Sequence, residues 1–485
     1  MGGSVGINVL FGIVRTKFAA VFIGTAGVGL VTSFLAIQNV IGILAGLGIQ
    51  SSAVREIAAA VGKQDKQAIG RAVLSLRRVC LLTGLAGMLL TIALSSWINR
   101  YTFGSGEYSF DIAALGAIVL LGNISGGQIA LIQGARRIGD IARINVYGGF
   151  FATIAAICFY SWLGLRGVLP ALVTIALMQL AVSWYFARRV PVPKVLMNWG
   201  ETFYEARDMI KLGLVLMWNS LLLSAVNYIT ITLISQKISL ESVGIYSAAL
   251  ALSGIFVNFV LKAMGADFYP RLTGLANDKE AVNRLVNEQT EIGLLLGLPG
   301  LLAMMTLAPL IIRICYTAEF LPAVELLEWF SLGCVGSIIS WPMGYIMLAL
   351  GKGRWFFLTE TLFNLAHILF IALGLQTFGL KGIGVAFILV HSLYVIALYV
   401  LVGYLTGFSW THQTKKIIQF SLFGVVLTFL IAINLSFWPT IIMGGILTAL
   451  TCIYSLRGFI KRLGSDHLIT RVTYKVPGLR ALCEF

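Results

Sequence analysis

Carboxylates are scarce in this chain: 20 Asp and Glu stand against 35 Lys and Arg among 485 residues, and charged residues of both signs make up only 11%. A soluble globule covers itself with polar side chains. A chain that is 58% hydrophobic, with a mean hydropathy of +0.91, cannot do so, which excludes a water-soluble fold. The six cysteines (Cys80, Cys158, Cys315, Cys334, Cys452, Cys483) are scattered without metal-ligand spacing, so neither a disulfide framework nor a metal centre is expected. There is no Gly-rich phosphate loop, no HExxH and no GxSxG, which argues against ATP hydrolysis and against an enzyme of either hydrolytic type. The first apolar stretch has no preceding cation and no small-residue cleavage site, so it is expected to remain as a membrane span. The net charge of +15 then reads as Lys- and Arg-rich cytoplasmic loops, and no nucleic-acid partner is expected.

What the chain does have is long apolar runs. Fourteen candidate spans emerge, at about 5–23, 28–50, 79–98, 111–133, 144–163, 168–187, 212–235, 243–264, 291–312, 326–350, 355–376, 381–404, 417–436 and 439–456. The fold class is an all-α membrane protein. With the N-terminus inside, 28 of the 35 cations fall in inner loops or the tail and five in outer loops, which sets both termini in the cytoplasm. Between spans six and seven, residues 188–211 mix Val195, Leu196, Trp199, Phe203 and Ile210 with polar residues, the pattern of a helix lying along the membrane surface.

The chain also repeats itself. "VGLVTSFLAI" (28–37) parallels "VGIYSAALAL" (243–252), "KQAIGRAV" (66–73) parallels "KEAVNRLV" (279–286), "GLAG" (84–87) parallels "GLPG" (297–300), and "GARR" (134–137) parallels "GKGR" (351–354). The offsets are all close to 215 residues and cover six spans, an even number, so the copies enter the membrane in the same sense. Two six-helix bundles, 1–187 and 212–404, are expected to be related by a parallel pseudo-two-fold, with 188–211 as linker. Two further helices at 405–456 and a basic tail at 457–485 complete the chain. Such paired bundles suit alternating access to a central site.

The sharpest anomaly is "NVLFGIVRTKFAAVFIG" (8–24), an apolar span with Arg15 and Lys17 near its middle. A cation at that depth costs about 2.5–3.5 kcal/mol on insertion scales and normally faces water or protein interior. Arg15 and Lys17 stand about 200° apart around a helix, so they converge only on a wide cavity. Lining of such a cavity competes with snorkelling and with carboxylate pairing, and the Asp and Glu residues cluster in loops and near helix ends. Ser220, Ser224, Asn227 and Ser235 stripe the seventh span, and Ser247, Ala251, Gly254, Asn258 and Lys262 the eighth. Both stripes read equally as packing faces or as ligand surfaces. Glu360 and His367 share a face of the eleventh span and His391 lies in the twelfth, a set that suits proton coupling, although structural histidines are commoner.

With repeat, spans and motifs together, the sequence resembles the multidrug/oligosaccharidyl-lipid/polysaccharide exporter superfamily, most of all its polysaccharide branch, the Wzx-type O-antigen flippases. The resemblance is carried by "GIVRTKFAAVFIGTAGVGL" (12–30), "GIQSSAVREIA" (48–58), "VGIYSAALALSGIF" (243–256), "DFYPRL" (267–272) and "GKGRWFFLTE" (351–360), in that order. It implies flipping of an undecaprenyl-diphosphate-linked oligosaccharide, an O-antigen or related exopolysaccharide repeat unit, across the bacterial inner membrane. Arg15 and Lys17 would then line a cationic cavity, with Ser220, Ser224, Asn227 and Asn258 as further substrate-binding candidates. It implies no cofactor beyond a proton or sodium gradient. Its implied partners are membrane lipid, a polysaccharide polymerase and a chain-length regulator. Many O-antigen flippases have twelve helices, so the last two bring this chain nearer to exopolysaccharide exporters and lipid II flippases. A cation-coupled multidrug exporter is the nearest rival reading, and a membrane polysaccharide polymerase or ligase the next. The first lacks acidic groups in the opening span, and the second lacks a large outer loop.

Overall fold

A computed structural model describes the backbone of residues 2–463, and side chains from residue 6 to 459 apart from 256, 258, 259, 262, 263 and 266. Most of the basic tail expected at 457–485 therefore lies outside the described residues. The described chain is helical throughout and contains no strand. In order, the helices are α1 (Gly2–Gly46), α2 (Ile49–Gly62), α3 (Lys66–Phe103), α4 (Ser109–Gly134), α5 (Ile138–Leu163), α6 (Val168–Ala187), α7 (Trp199–Lys237) and α8 (Leu240–Gly274). They continue with α9 (Lys279–Thr306), α10 (Ala308–Cys315), α11 (Ala323–Ala349), α12 (Gly353–Phe378), α13 (Leu380–Thr406), α14 (His412–Asn434) and α15 (Phe437–Leu463).

All fourteen expected spans fall on helices, although not one to one. Eleven described segments are long and apolar enough to cross a membrane. Two of these hold a pair of spans each: α1, and the segment Ile138–Ala187, which is broken by a 3-10 turn at Gly164–Gly167. The eighth span, in α8, counts as a shorter apolar stretch, Leu240–Ile255. In α1 the division between the first two spans is Gly24, whose φ of 63° and ψ of −165° break the helix in a conformation open only to glycine. Large aromatic side chains stand outward near helix ends, with Trp162 85%, Phe110 79%, Trp438 70% and Trp97 63% exposed, the placement of interfacial anchors.

Contacts divide the chain into two units, Met1–Ile245 with Ile314–Glu319, and Tyr246–Arg313 with Phe320–Phe485. This division differs from the one expected at residues 188–211, because α7 packs on α1, α2 and α3. Three features hold it there. The expected surface helix is not separate: an Asn198–Glu201 capping box starts α7 at Trp199 and the helix runs unbroken into the seventh span. Arg78 donates to the carbonyls of Met197 and Asn198 and to Thr202 Oγ1, at 2.9, 3.3 and 2.7 Å. Ala206 and Met209 are buried in a core shared with Ile49 and Ile57 of α2, Val73 and Leu76 of α3, and Leu131 of α4.

The connection expected at 51–78 contains α2, whose buried Ile49, Ser52, Ala53, Ile57 and Ala60 recur at helical spacing. Within the same unit the opening of α8 lies against α1. A Cβ on Gly29 would sit 2.0 Å from the Leu240 carbonyl oxygen, and one on Gly244 would sit 2.1 Å from that of Thr25. Only glycine permits so close an approach.

The second unit is built around Leu298, Leu301 and Leu302 of α9, Ile338 and Met343 of α11, Leu398 of α13 and Val425 of α14. Here the sequence expectation for carboxylates needs correction. Glu291 and Glu328 are 6% and 5% exposed, buried inside α9 and α11, and Thr414 Oγ1 donates to Glu291 Oε1 at 2.7 Å. A neighbouring hydroxyl on α14 supplies what water would have supplied.

Candidate functional site: an amide-lined cavity around Arg15

The first unit holds two adjoining cavities. One, of 340 Å³, is lined by Asn8, Arg15 and Gln38 of α1, Ser125 of α4, Asn145 of α5 and Gln179 of α6, among apolar neighbours. The other, of 310 Å³, is lined by Gln38 and Asn39 of α1, Gln50 and Ser51 of α2, Asn123 of α4 and Ser220 of α7. Gln38 and Gly122 belong to both linings, so the two form one polar tract.

Glycines make room for the amides. A Cβ on Gly148 would meet Gln179 Oε1 at 2.5 Å, one on Gly149 would meet Asn8 Oδ1 at 2.4 Å, and one on Gly126 would meet the Gln50 amide at 2.3 Å. Gln50 Nε2 also donates to Asn123 Oδ1 at 3.5 Å, joining α2 to α4 across the second cavity.

Arg15 is the one ionisable residue in either lining. It is exposed to the cavity and makes no hydrogen bond or ion pair among the described residues. Its guanidinium therefore presents its donors to whatever enters, in a setting with no carboxylate to compete. Lys17, on the other side of the helix, instead donates to the backbone carbonyl of Tyr316 and lines neither cavity.

The other predicted residues divide. Ser220 lines the second cavity; Ser224 and Asn227, one and two turns further along α7, are half-buried and line neither. The side chain of Asn258 lies outside the described residues. Gln38, Asn123, Asn145 and Gln179 were missed by the sequence reading. The signal was present, since an amide within an apolar span is costly unless it faces a partner or water.

In the second unit the proton-coupling candidates come together on α12 and α13. The His367 and His391 rings are 6.1 Å apart, and Phe363 touches both, at 6.0 and 5.3 Å. Glu360 accepts a 2.6 Å hydrogen bond from Tyr394 Oη, and the Tyr394 ring lies 4.3 Å from that of Phe363. His391 Nδ1 lies 2.8 Å from the Phe387 carbonyl oxygen, which fixes the ring.

The described residues form a multi-pass helical chain in which Arg15 stands without a hydrogen bond or ion pair in an amide-lined cavity, an arrangement that suits a polar or anionic ligand inside a membrane-embedded class of protein. Comparison with known proteins gives the class its family: residues 20–325 match the polysaccharide biosynthesis protein family, and the chain belongs to it. That membership agrees with the polysaccharide branch that the sequence resembles. The chain is 23% identical over 357 residues to the lipid III flippase of Escherichia coli K12, covering 72% of this chain and 83% of the relative. The same values hold for the lipid III flippase of Shigella flexneri. In fold it is similar to the inward closed conformation of the lipid II flippase MurJ, with a TM-score of 0.71 at 15% identity over 95% of this chain and 99% of the other. An inward-facing MATE-family multidrug resistance transporter gives a TM-score of 0.70 at 14% identity, over 84% and 96% of the two chains.

Proposed function

We propose that this protein flips an undecaprenyl-diphosphate-linked oligosaccharide, an O-antigen or related repeat unit, from the cytoplasmic to the periplasmic leaflet of a bacterial inner membrane. The observation that carries the reading is Arg15, the one charge in a cavity otherwise lined by amides and hydroxyls. A diphosphate is an anion that must cross a low-dielectric barrier, where an opposite charge is worth far more than in water. The arginine fork suits phosphate oxygens, and the surrounding Asn and Gln side chains both donate to and accept from sugar hydroxyls. The lipid tail stays in the bilayer while the headgroup travels. Lys17 keeps a supporting role on the Tyr316 carbonyl, and the released unit is passed to a polymerase with its chain-length regulator. A cavity without a carboxylate suits an anionic headgroup better than a cationic drug. The test uses reconstituted vesicles and matched lipid-linked sugars, one with a diphosphate and one with a neutral linkage. Transport of the diphosphate alone supports the reading; equal transport of both overturns it.

The paired histidines favour a second reading, of energy coupling. His367 and His391, with Glu360 and Tyr394 nearby, form a buried titratable group in the second unit that takes and releases a proton during the cycle. Replacing His391 with Gln is expected to abolish transport driven by a pH gradient while sparing substrate exchange without one. Unchanged gradient-driven transport would remove the histidine from the coupling.

A further inference from the structure

A third cavity in the first unit, of 460 Å³, lies apart from the Arg15 tract, between α3, α4 and α6. Its walls are mainly apolar, including Leu81, Ile124 and Trp184, while Arg77 and Arg188 bring two guanidinium groups to it and Gln128 an amide. None of its lining residues is acidic. Both arginine side chains are exposed, and neither guanidinium makes a hydrogen bond or ion pair among the described residues.

Arg188 is nonetheless positioned. Its guanidinium lies over the Trp184 ring at 4.8 Å and over that of Tyr185 at 5.1 Å, which holds it at the cavity while its N–H groups make no hydrogen bond among the described residues. Ser183 Oγ donates to Gln128 Oε1 at 2.6 Å, so the amide has its N–H₂ left to donate. Asp140 of α5, outside the lining, pairs with Arg137 and Arg143, at 2.7 and 3.0 Å. Three donors thus converge on an apolar slot with no acceptor of their own. Leu81 and Trp184 are 43% and 54% exposed, so the slot opens onto the lipid-facing surface.

We infer that this cavity binds an anionic phospholipid, its headgroup phosphate held by Arg77, Arg188 and Gln128 and an acyl chain lying along Leu81, Ile124 and Trp184. Two cations and an amide donor at the polar end match a phosphate, and the apolar remainder matches hydrocarbon. Basic pockets between transmembrane helices take lipid headgroups on this physical basis. The site is separate from the substrate tract and would tie the first unit to anionic membrane.

The experiment uses the full-length protein in detergent, with thermal midpoint recorded against added lipid. Phosphatidylglycerol should raise the midpoint saturably, phosphatidylcholine much less, and inorganic phosphate not at all. In the Arg77→Gln/Arg188→Gln double variant, phosphatidylglycerol binding should weaken about thirtyfold, the worth of two surface cations. Ile124→Trp, which fills the slot but keeps both charges, should also lose the response. A response equal for both lipids, or unchanged in both variants, overturns the site. So does displacement of the bound phospholipid by a lipid-linked diphosphate sugar, since the cavity would then belong to the substrate. Transport by the Arg15 variants reads the other cavity, so the two proposals fail independently.

Discussion

Replacing Arg15 tests the transport reading most directly. In the tract it lines, no other ionisable group can substitute for it. A phosphate held bidentately would receive two charge-assisted hydrogen bonds, each worth about 1.5 kcal/mol net. Arg15 is exposed to the cavity, so water competes for part of this, and about 2 kcal/mol is the reasonable total. Arg15→Gln is therefore expected to lower kcat/KM for a lipid-linked diphosphate about thirtyfold. Arg15→Lys should recover part of that loss, because charge survives and the planar fork does not. The assay is initial flipping rate in vesicles holding equal amounts of each variant, with the thermal midpoint confirming the fold. If Arg15→Gln flips at the wild-type rate, the guanidinium does not hold phosphate. If Arg15→Lys is as poor as Arg15→Gln while both stay folded, geometry outweighs charge and the electrostatic part of the reasoning fails.

Lys17→Met should lower the thermal midpoint, because the Tyr316 carbonyl loses its donor, with KM for substrate unchanged; a raised KM with an unchanged midpoint would place Lys17 in the substrate path. Glu56 of α2 lies outside the candidate spans, and burial, then Glu205 and Asp208, raise its pKa from 4.5 to about 7, with Arg55 opposing. The folded state therefore holds a proton that the unfolded chain releases, and stability falls as pH rises from 4.5 to about 7. Glu56→Gln should thus raise the midpoint at pH 8 and leave it unchanged at pH 4, and an equal effect at both would refute the assignment. Single cysteines introduced at Ser105 and Ile238 should label from outside intact cells, and those at Asp65 and Leu275 only after permeabilisation; labelling at 65 in intact cells would invert the proposed orientation.

The helices were legible because lipid imposes a length and a composition on every span, and both are written locally. The Asn198–Glu201 pair was likewise a readable start signal, but the surface-helix pattern of 188–211 carries no sign that the helix it opens runs on into the seventh span. What the chain could not display locally is convergence. Gln38, Asn123, Asn145 and Gln179 stand on four different helices, so no periodic stripe on one helix marks them; only packing brings them to one tract. Lys17 shows the reverse. Two residues from Arg15 and alike in charge, it is separated from it by helical geometry and drawn to the Tyr316 carbonyl, almost 300 positions away in sequence. Burial of Glu291 is illegible locally for a similar reason, since its partner Thr414 lies on α14.

The close approach of α1 and α8 has a symmetry of its own. Gly29 is pressed against the Leu240 carbonyl, and Gly244 against that of Thr25. Adding the repeat offset of 215 to Thr25 and Gly29 gives Leu240 and Gly244, so each contact is the image of the other. Reciprocity of that kind is the mark of an isologous interface, the form that two identical copies make around a two-fold. A single polypeptide has no need of it. Here one chain makes both contacts, and each glycine is held by the backbone of the other helix. Neither glycine can grow a side chain without displacing the backbone opposite, so a substitution at either position is felt on both helices at once.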